Sequence, residues 1–152
     1  MSERTAIHAT CVIVGESGVL IRGASGAGKS RLARALLADA TNRGLFSRLV
    51  GDDRVDVEAC GGRALVSGRS SIAGLIEARG LGIVAAPSEP VCVARLIVDL
   101  ILNAEPRMPS GEERFELVGG VRLPRLTLGP DADRPDLVFA ALLQLSSGAN
   151  WT

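Results

Sequence analysis

Val19-Leu20-Ile21-Arg22-Gly23-Ala24-Ser25-Gly26-Ala27-Gly28-Lys29-Ser30 is the stretch on which the reading of this chain turns. Three apolar residues and an arginine predict a short strand. The turn G-A-S-G-A-G-K-S follows, and Arg31 to Ala38 then repeats apolar residues at helical spacing. Together they satisfy G-x-x-x-x-G-K-[ST] in the strand-before, helix-after setting that a phosphate-binding loop requires. Backbone N–H groups can wrap a polyphosphate only where no Cβ obstructs them, which Gly23, Gly26 and Gly28 ensure. The helix N-terminus adds unsatisfied donors and a positive dipole end. Gly23, Ala24, Ser25, Gly26, Ala27, Gly28, Lys29 and Ser30 are therefore the candidate nucleotide-binding residues. Lys29 is placed to reach the β- and γ-phosphates and the Ser30 hydroxyl to hold Mg²⁺.

The chain has 152 residues, enough for one domain that buries roughly 70% of its unfolded surface. Hydrophobic residues make up 47% and charged residues 22%, an ordinary globular composition. Its 17 basic and 17 acidic residues cancel, so no basic field for nucleic acid or a membrane surface is expected. Cys11, Cys60 and Cys92 are odd in number and form no C-x-x-C pair, which predicts reduced, idle thiols. No apolar run is long enough for a membrane span and no signal peptide is evident, so a cytoplasmic location is expected.

Working outward, Thr10 to Val14 and Val19 to Arg22 predict a hairpin, with the lone His8 just ahead of it. The helix after the loop is expected to run to about Ala40 and stop at Asn42-Arg43-Gly44. Ser47 to Asp53 reads as a short strand that delivers Asp52 and Asp53. An acidic residue at such a place serves Mg²⁺ or accepts a nucleophile's proton. Successive strand residues point to opposite faces, so the two aspartates are expected to have different duties. Val55 to Ala59 and Arg63 to Ser67 flank Gly61-Gly62 as a second hairpin, which predicts a mixed sheet. In Ser70 to Ala85 the charges Glu77 and Arg79 are embedded among apolar and glycine residues, where a carboxylate needs a partner or a cation to offset its desolvation. They read either as a local ion pair or as ligands, Glu77 to Mg²⁺ and Arg79 to phosphate. Val91 to Leu102 predicts a long strand and Asn103 to Glu113 a surface loop. Short strands are expected at 114–118, 121–123 and 126–128. A last helix, from about Pro135 and capped by Asp133 or Asp136, presents Leu137, Ala140, Ala141 and Leu145 as its apolar face.

Three of these segments together resemble the catalytic domain of bacterial HPr kinase/phosphorylase: G-A-S-G-A-G-K-S, L-V-G-D-D at Leu49 to Asp53, and L-I-E-A-R-G-L-G-I at Leu75 to Ile83. The last follows that family's E-x-R-G-L-G-I signature. Weaker agreement runs through Glu105 to Pro109 and Leu117 to Arg125. The resemblance implies an α/β, mixed-sheet P-loop kinase domain similar to phosphoenolpyruvate carboxykinase, assembled as a homo-oligomer, a hexamer in the family. It implies ATP-dependent phosphorylation of a serine on HPr, the phosphocarrier of the sugar phosphotransferase system. It also implies a reverse reaction in which phosphate attacks phosphoserine and releases pyrophosphate. The family pattern places Lys29 on the phosphates, Ser30 and Glu77 on Mg²⁺, His8 in the active site, Asp52 or Asp53 as base, and Arg107 in the reverse reaction.

Two departures bear on function. The chain opens directly on the kinase domain, so regulation attributed to a separate N-terminal domain is not expected. Leu128 to Pro135 carries Asp131 and Asp133 where the family has a basic P-V-x-P-G-R-N-like segment, and two aspartates repel phosphate. A kinase with weak or absent phosphorylase activity is the expectation. A small-molecule kinase would need an arginine-bearing lid, and a GTP switch an N-K-x-D motif; neither is evident.

Overall fold

A computed structural model of the chain describes residues 3–69, 73–103, 108–148 and 150–151. β1 (Arg4–Ile7) and β2 (Ala9–Val14) come first, and β3 (Ser17–Arg22) turns back beside β2 and ends at the phosphate loop. α1 (Lys29–Asn42) leads to β4 (Ser47–Gly51) and the hairpin β5 (Val55–Cys60) and β6 (Arg63–Ser67). β7 (Leu75–Ala78) and β8 (Gly82–Ala85) form a second hairpin, followed by the long β9 (Val91–Leu100). A 3₁₀ turn, β10 (Phe115–Val118), β11 (Val121–Leu128) and α2 (Arg134–Ser146) complete the described fold.

The main sheet is mixed and runs β1-β5-β6-β9-β3-β2-β4. β9 lies parallel to β3 and, through its second half, to β11, while β6 takes the first half of the same edge in antiparallel sense. Among the described residues β7 and β8 pair only with each other. Leu20, Ile21, Leu96 and Ile97 are fully buried on both faces of the central strands. Each such side chain contributes roughly 1.5–3 kcal/mol by burial, so the strand that ends at the loop is anchored in the core on both faces. One core lies under α1 and α2, where Leu32, Ala33, Leu36 and Ala40 meet Val19, Ile21, Leu96 and Val98. The other is enclosed where the sheet curls, between Leu20 and Ile97 and the side chains of Val55, Val57 and Val66. No helix among the described residues is long and apolar enough to cross a membrane.

Four expectations need correction. β1 was not anticipated; it is an exposed edge strand whose order comes from pairing with β5. Residues 121–128 form one strand rather than two. Pro124 is tolerated because it ends the ladder with β10, at Phe115, one residue before Arg125 begins the ladder with β9. Leu137 and Ala140 of α2 face solvent, and its buried residues are Val138, Phe139 and Ala141, joined by Leu142 and Leu145 at the i, i+4, i+7 positions from Val138. Glu77 and Arg79 are not embedded: β7 alternates, with Ile76 and Ala78 buried and the charges on the open face. The N-cap of α2 is Asp133, whose carboxylate accepts from the Asp136 N–H.

Cys11 and Cys92 are buried free thiols with sulfurs 3.5 Å apart, and Cys60 is exposed. The Cys11 thiol is pushed well above its ordinary value by its hydrogen bond to Cys92 and by burial, which keeps it protonated and unreactive.

Candidate active site at the phosphate loop

The loop between β3 and α1 turns through Gly26 (φ 83°) and Gly28 (φ 103°), both in the left-handed region that glycine enters without steric cost. Gly28 is the N-cap of α1 and has no side chain, so the first N–H groups of the helix stay open toward the cleft. Lys29 is buried, and its Nζ donates to the carbonyls of Gly23 (2.9 Å) and Ala24 (3.4 Å). The ammonium is thus stored against the loop it would serve, 3.9 Å from Asp53 Oδ1.

β4 ends at Gly51, so the two aspartates lie just past the strand and strand alternation does not govern them. Asp53 is the one non-glycine among the described residues with positive φ, 68°. Aspartate tolerates that conformation better than most residues, and such strain is typical of functional positions. As a result both carboxylates address the loop, with different partners. Asp52 Oδ1 accepts from the Ser30 hydroxyl (2.7 Å) and the Thr10 hydroxyl (2.8 Å), and its Oδ2 accepts from the Glu77 N–H (3.0 Å). Asp53 is more than half exposed, and its one side-chain hydrogen bond among the described residues is from His8 Nε2, at 2.5 Å on the Oδ1 that also faces Lys29. Its Oδ2 has no partner among the described residues.

A cleft of about 690 Å³ opens here, lined by Ser25 to Arg31, Arg34, Asp53, Glu77, Arg79 and Arg134. No ion pair joins Glu77 to Arg79, so the local-ion-pair reading of that segment is not what the structure has. No three His, Cys, Asp or Glu side chains among the described residues could cage a metal unaided. Mg²⁺ does not ask for such a cage: it usually takes one or two carboxylates and completes its shell with phosphate oxygens and water. The donor set fits that habit, since Ser30 and Glu77 line the same cleft and Asp52 bonds both the Ser30 hydroxyl and the Glu77 N–H.

The structure therefore brings together Gly23 to Ser30, Asp52, Asp53, His8, Glu77 and Arg79. Arg107 lies outside the described residues. Three contributors were missed. Thr10 is fully buried and orients both aspartates, donating to Asp52 and accepting from the Asp53 N–H (3.1 Å). Arg34, four residues after Ser30 and so on the same helix face, has a buried Nε without an acceptor. Arg134 donates to the carbonyls of Ala27 (2.7 Å), Gly129 (3.0 Å) and Ile101 (3.2 Å), which props the loop from behind. Helical spacing alone could have nominated Arg34; nothing local pointed to Thr10 or Arg134.

Comparison with known families identifies the chain's relatives. The HPr serine kinase C-terminal domain family matches residues 1–88, more than half of the chain. The chain belongs to that family. The HPr kinase/phosphorylase of Clostridium tetani is 40% identical over 88 residues, covering 58% of this chain and 27% of the relative. That of Streptococcus thermophilus is 34% identical over 143 residues, covering 84% of this chain and 43% of the relative. Among solved structures, the Hpr(Ser) kinase/phosphatase from Coxiella burnetii superposes with a TM-score of 0.71 at 25% identity, covering 94% of this chain and 93% of the other. As an HPr serine kinase C-terminal domain, the chain spans less than half the length of these curated relatives, which are enzymes by name. Its mixed sheet and phosphate loop are those of the family's P-loop kinase fold.

Proposed function

We propose that this chain is a cytoplasmic ATP-dependent serine kinase that phosphorylates an HPr-like phosphocarrier, with weak or absent phosphorylase activity. The carrying observation is the partner set of Asp53: an exposed carboxylate with a free Oδ2, anchored by His8 and beside the phosphate-loop lysine.

In this reading the loop amides and the N-terminus of α1 hold the polyphosphate, and Lys29 exchanges its bonds to Gly23 and Ala24 for phosphate oxygens. Ser30, oriented by Asp52, and Glu77 would hold Mg²⁺, which when bound would offset the charge of the phosphates. Of the two aspartates, Asp53 is the base. His8 Nε2–H fixes Oδ1, which leaves Oδ2 to receive the serine proton as the hydroxyl attacks. Asp52 already accepts three hydrogen bonds and serves as the organising acceptor between Thr10, Ser30 and β7. Arg79 and Arg34 supply positive charge to the transferred group, and Arg107 is assigned to the reverse reaction.

A protein acceptor is favoured over a metabolite by the β7–β8 hairpin, where Leu75, Leu81 and Ile83 are exposed beside Glu77 and Arg79. Apolar surface at the rim of a catalytic cleft suits a macromolecular partner. A reduced reverse reaction is supported by the 128–135 segment that leads into α2. Asp131 and Asp133 add negative charge there, and Arg134, its one cation, is tied to three carbonyls. A homo-oligomer, hexameric as in the family, is part of the proposal.

The test is incubation with γ-labelled ATP, Mg²⁺ and HPr. Label on an HPr serine is expected, and phosphate added to phosphorylated HPr should release little pyrophosphate. Label on a small metabolite instead, or free phosphate alone, overturns the kinase assignment; vigorous pyrophosphate release overturns the one-way reading.

A further inference from the structure

The sheet face that carries α1 and α2 is not covered along its whole length. Beyond Leu145 and Ser146, at the last turn of α2, a cavity of about 560 Å³ opens onto bare strands. Arg63, Arg95 and Arg122 line it, with Glu16 and Ser17 at the β2–β3 turn. Arg63 alternates with the buried Ala64 and Val66, and Arg122 precedes the buried Leu123, so both turn away from the second core and toward this opening.

The arrangement of charge is unusual for a sheet. Ala64–Ala94 is the last pair of the β6–β9 ladder, and Arg63 and Arg95 are the next residues on either strand. Arg122 lies just ahead of the first β11–β9 pair, Arg125–Ile97, at the fork where the β9 edge passes from β6 to β11. Like charges facing each other on neighbouring strands destabilise a sheet unless something offsets them. Among the described residues no carboxylate lies within ion-pair distance of these guanidinium groups. Arg122 has only the Phe115 ring, 3.7 Å away. Glu16 supplies one negative charge to the cavity, and the carbonyl end of α2 about half of one. Three arginines exceed that by more than a full charge.

We propose that this cavity is a second anion site, which takes a phosphate dianion, either free or as the monoester of a small molecule. Guanidinium forks match phosphate oxygens two at a time, and the cavity is of small-molecule size. It is separate from the phosphate loop: β3 has Ser17 at this end and leads into Gly23 at the other, six residues or roughly 20 Å away. Both sites can therefore be filled at once.

The test is titration of the ¹⁵N-labelled chain with inorganic phosphate and, separately, glycerol phosphate, following the arginine Nε–Hε signals at constant ionic strength. Lys29→Ala is the background, since it weakens the phosphate loop. Saturable shifts at Arg63, Arg95 and Arg122 are expected to persist there, and the further pair Arg63→Gln and Arg95→Gln should weaken binding at least about tenfold with the amide spectrum otherwise intact. Tighter binding of the ester assigns the site to phosphorylated small molecules, and equal binding to free phosphate. Shifts no larger than chloride produces, or shifts lost in Lys29→Ala and unmoved by the arginine pair, overturn the proposal.

Discussion

Replacing each aspartate of the pair by asparagine should give two different failures. Asp53 makes one side-chain hydrogen bond, to an exposed histidine, and a long 3.9 Å ion pair to Lys29, and more than half of its side chain is in solvent. An exposed pair of this kind is worth about 0.2–1 kcal/mol, and asparagine accepts the positive φ of the position as readily as aspartate. Asp53→Asn should thus melt within a few degrees of the parent. If Oδ2 takes the serine proton, however, its rate should fall roughly 10²–10⁴-fold, about 3–5 kcal/mol of barrier. Asp52 accepts three hydrogen bonds, two from hydroxyls and one from the Glu77 N–H. Each loses about 1 kcal/mol when an ionised acceptor becomes a neutral amide, so Asp52→Asn should cost about 2–3 kcal/mol and lower Tm by roughly 5–10 °C. It should also weaken Mg²⁺-dependent nucleotide binding, because Ser30 and β7 lose their common anchor. The assays are initial rates of label transfer to HPr, nucleotide affinity by titration, and thermal melting. An Asp53→Asn enzyme that turns over within a fewfold of the parent refutes the base assignment. Equal melting of the two variants refutes the division of labour.

Arg134→Ala removes the prop behind the loop. Nucleotide Kd should rise on the order of tenfold, about 1.4 kcal/mol, as read by titration with an ATP analogue. Gly18→Ala would place a Cβ 2.6 Å from both Cys92 Sγ and the Val93 carbonyl oxygen. Overpacking of this kind costs about 1–3 kcal/mol; Cys92→Ala should relieve the sulfur clash but not the carbonyl one, so the double variant should recover only part of the lost Tm. Arg22 beside Glu116 holds that carboxyl below its ordinary value of 4.5. A depressed carboxyl stabilises the fold above its unfolded value and loses that contribution as pH falls through the folded one. The Tm gap between the parent and Glu116→Gln should therefore be full at pH 7 and close on acidification below about pH 4.

What could be read in advance follows the range of the interactions. The phosphate loop was legible because every requirement on it is local: glycines at the bends, a lysine at the helix start, apolar residues on both sides. The hairpins 9–22 and 55–67 were legible for the same reason. The alternation of β7 was also present, as Ile76 and Ala78 against Glu77 and Arg79, but Gly74, Gly80 and Gly82 crowd so short a strand that the charges read as buried. Asp52 and Asp53 could be named but not told apart. What separates them is the pairing of β2 with β4, in which a register shift between Cys11 and Val12 sets Cys11 opposite Gly51. That pairing brings Thr10 beneath both aspartates and His8 onto Asp53, contacts 42 to 45 residues apart in the chain. Arg134 reaches Ala27 across 107 residues, and its own neighbourhood announces only the start of a helix. A motif names the groups that can do chemistry; the sheet order decides which of them has a free oxygen. In this chain the free oxygen belongs to Asp53, because Thr10, Ser30 and Glu77 have already occupied Asp52.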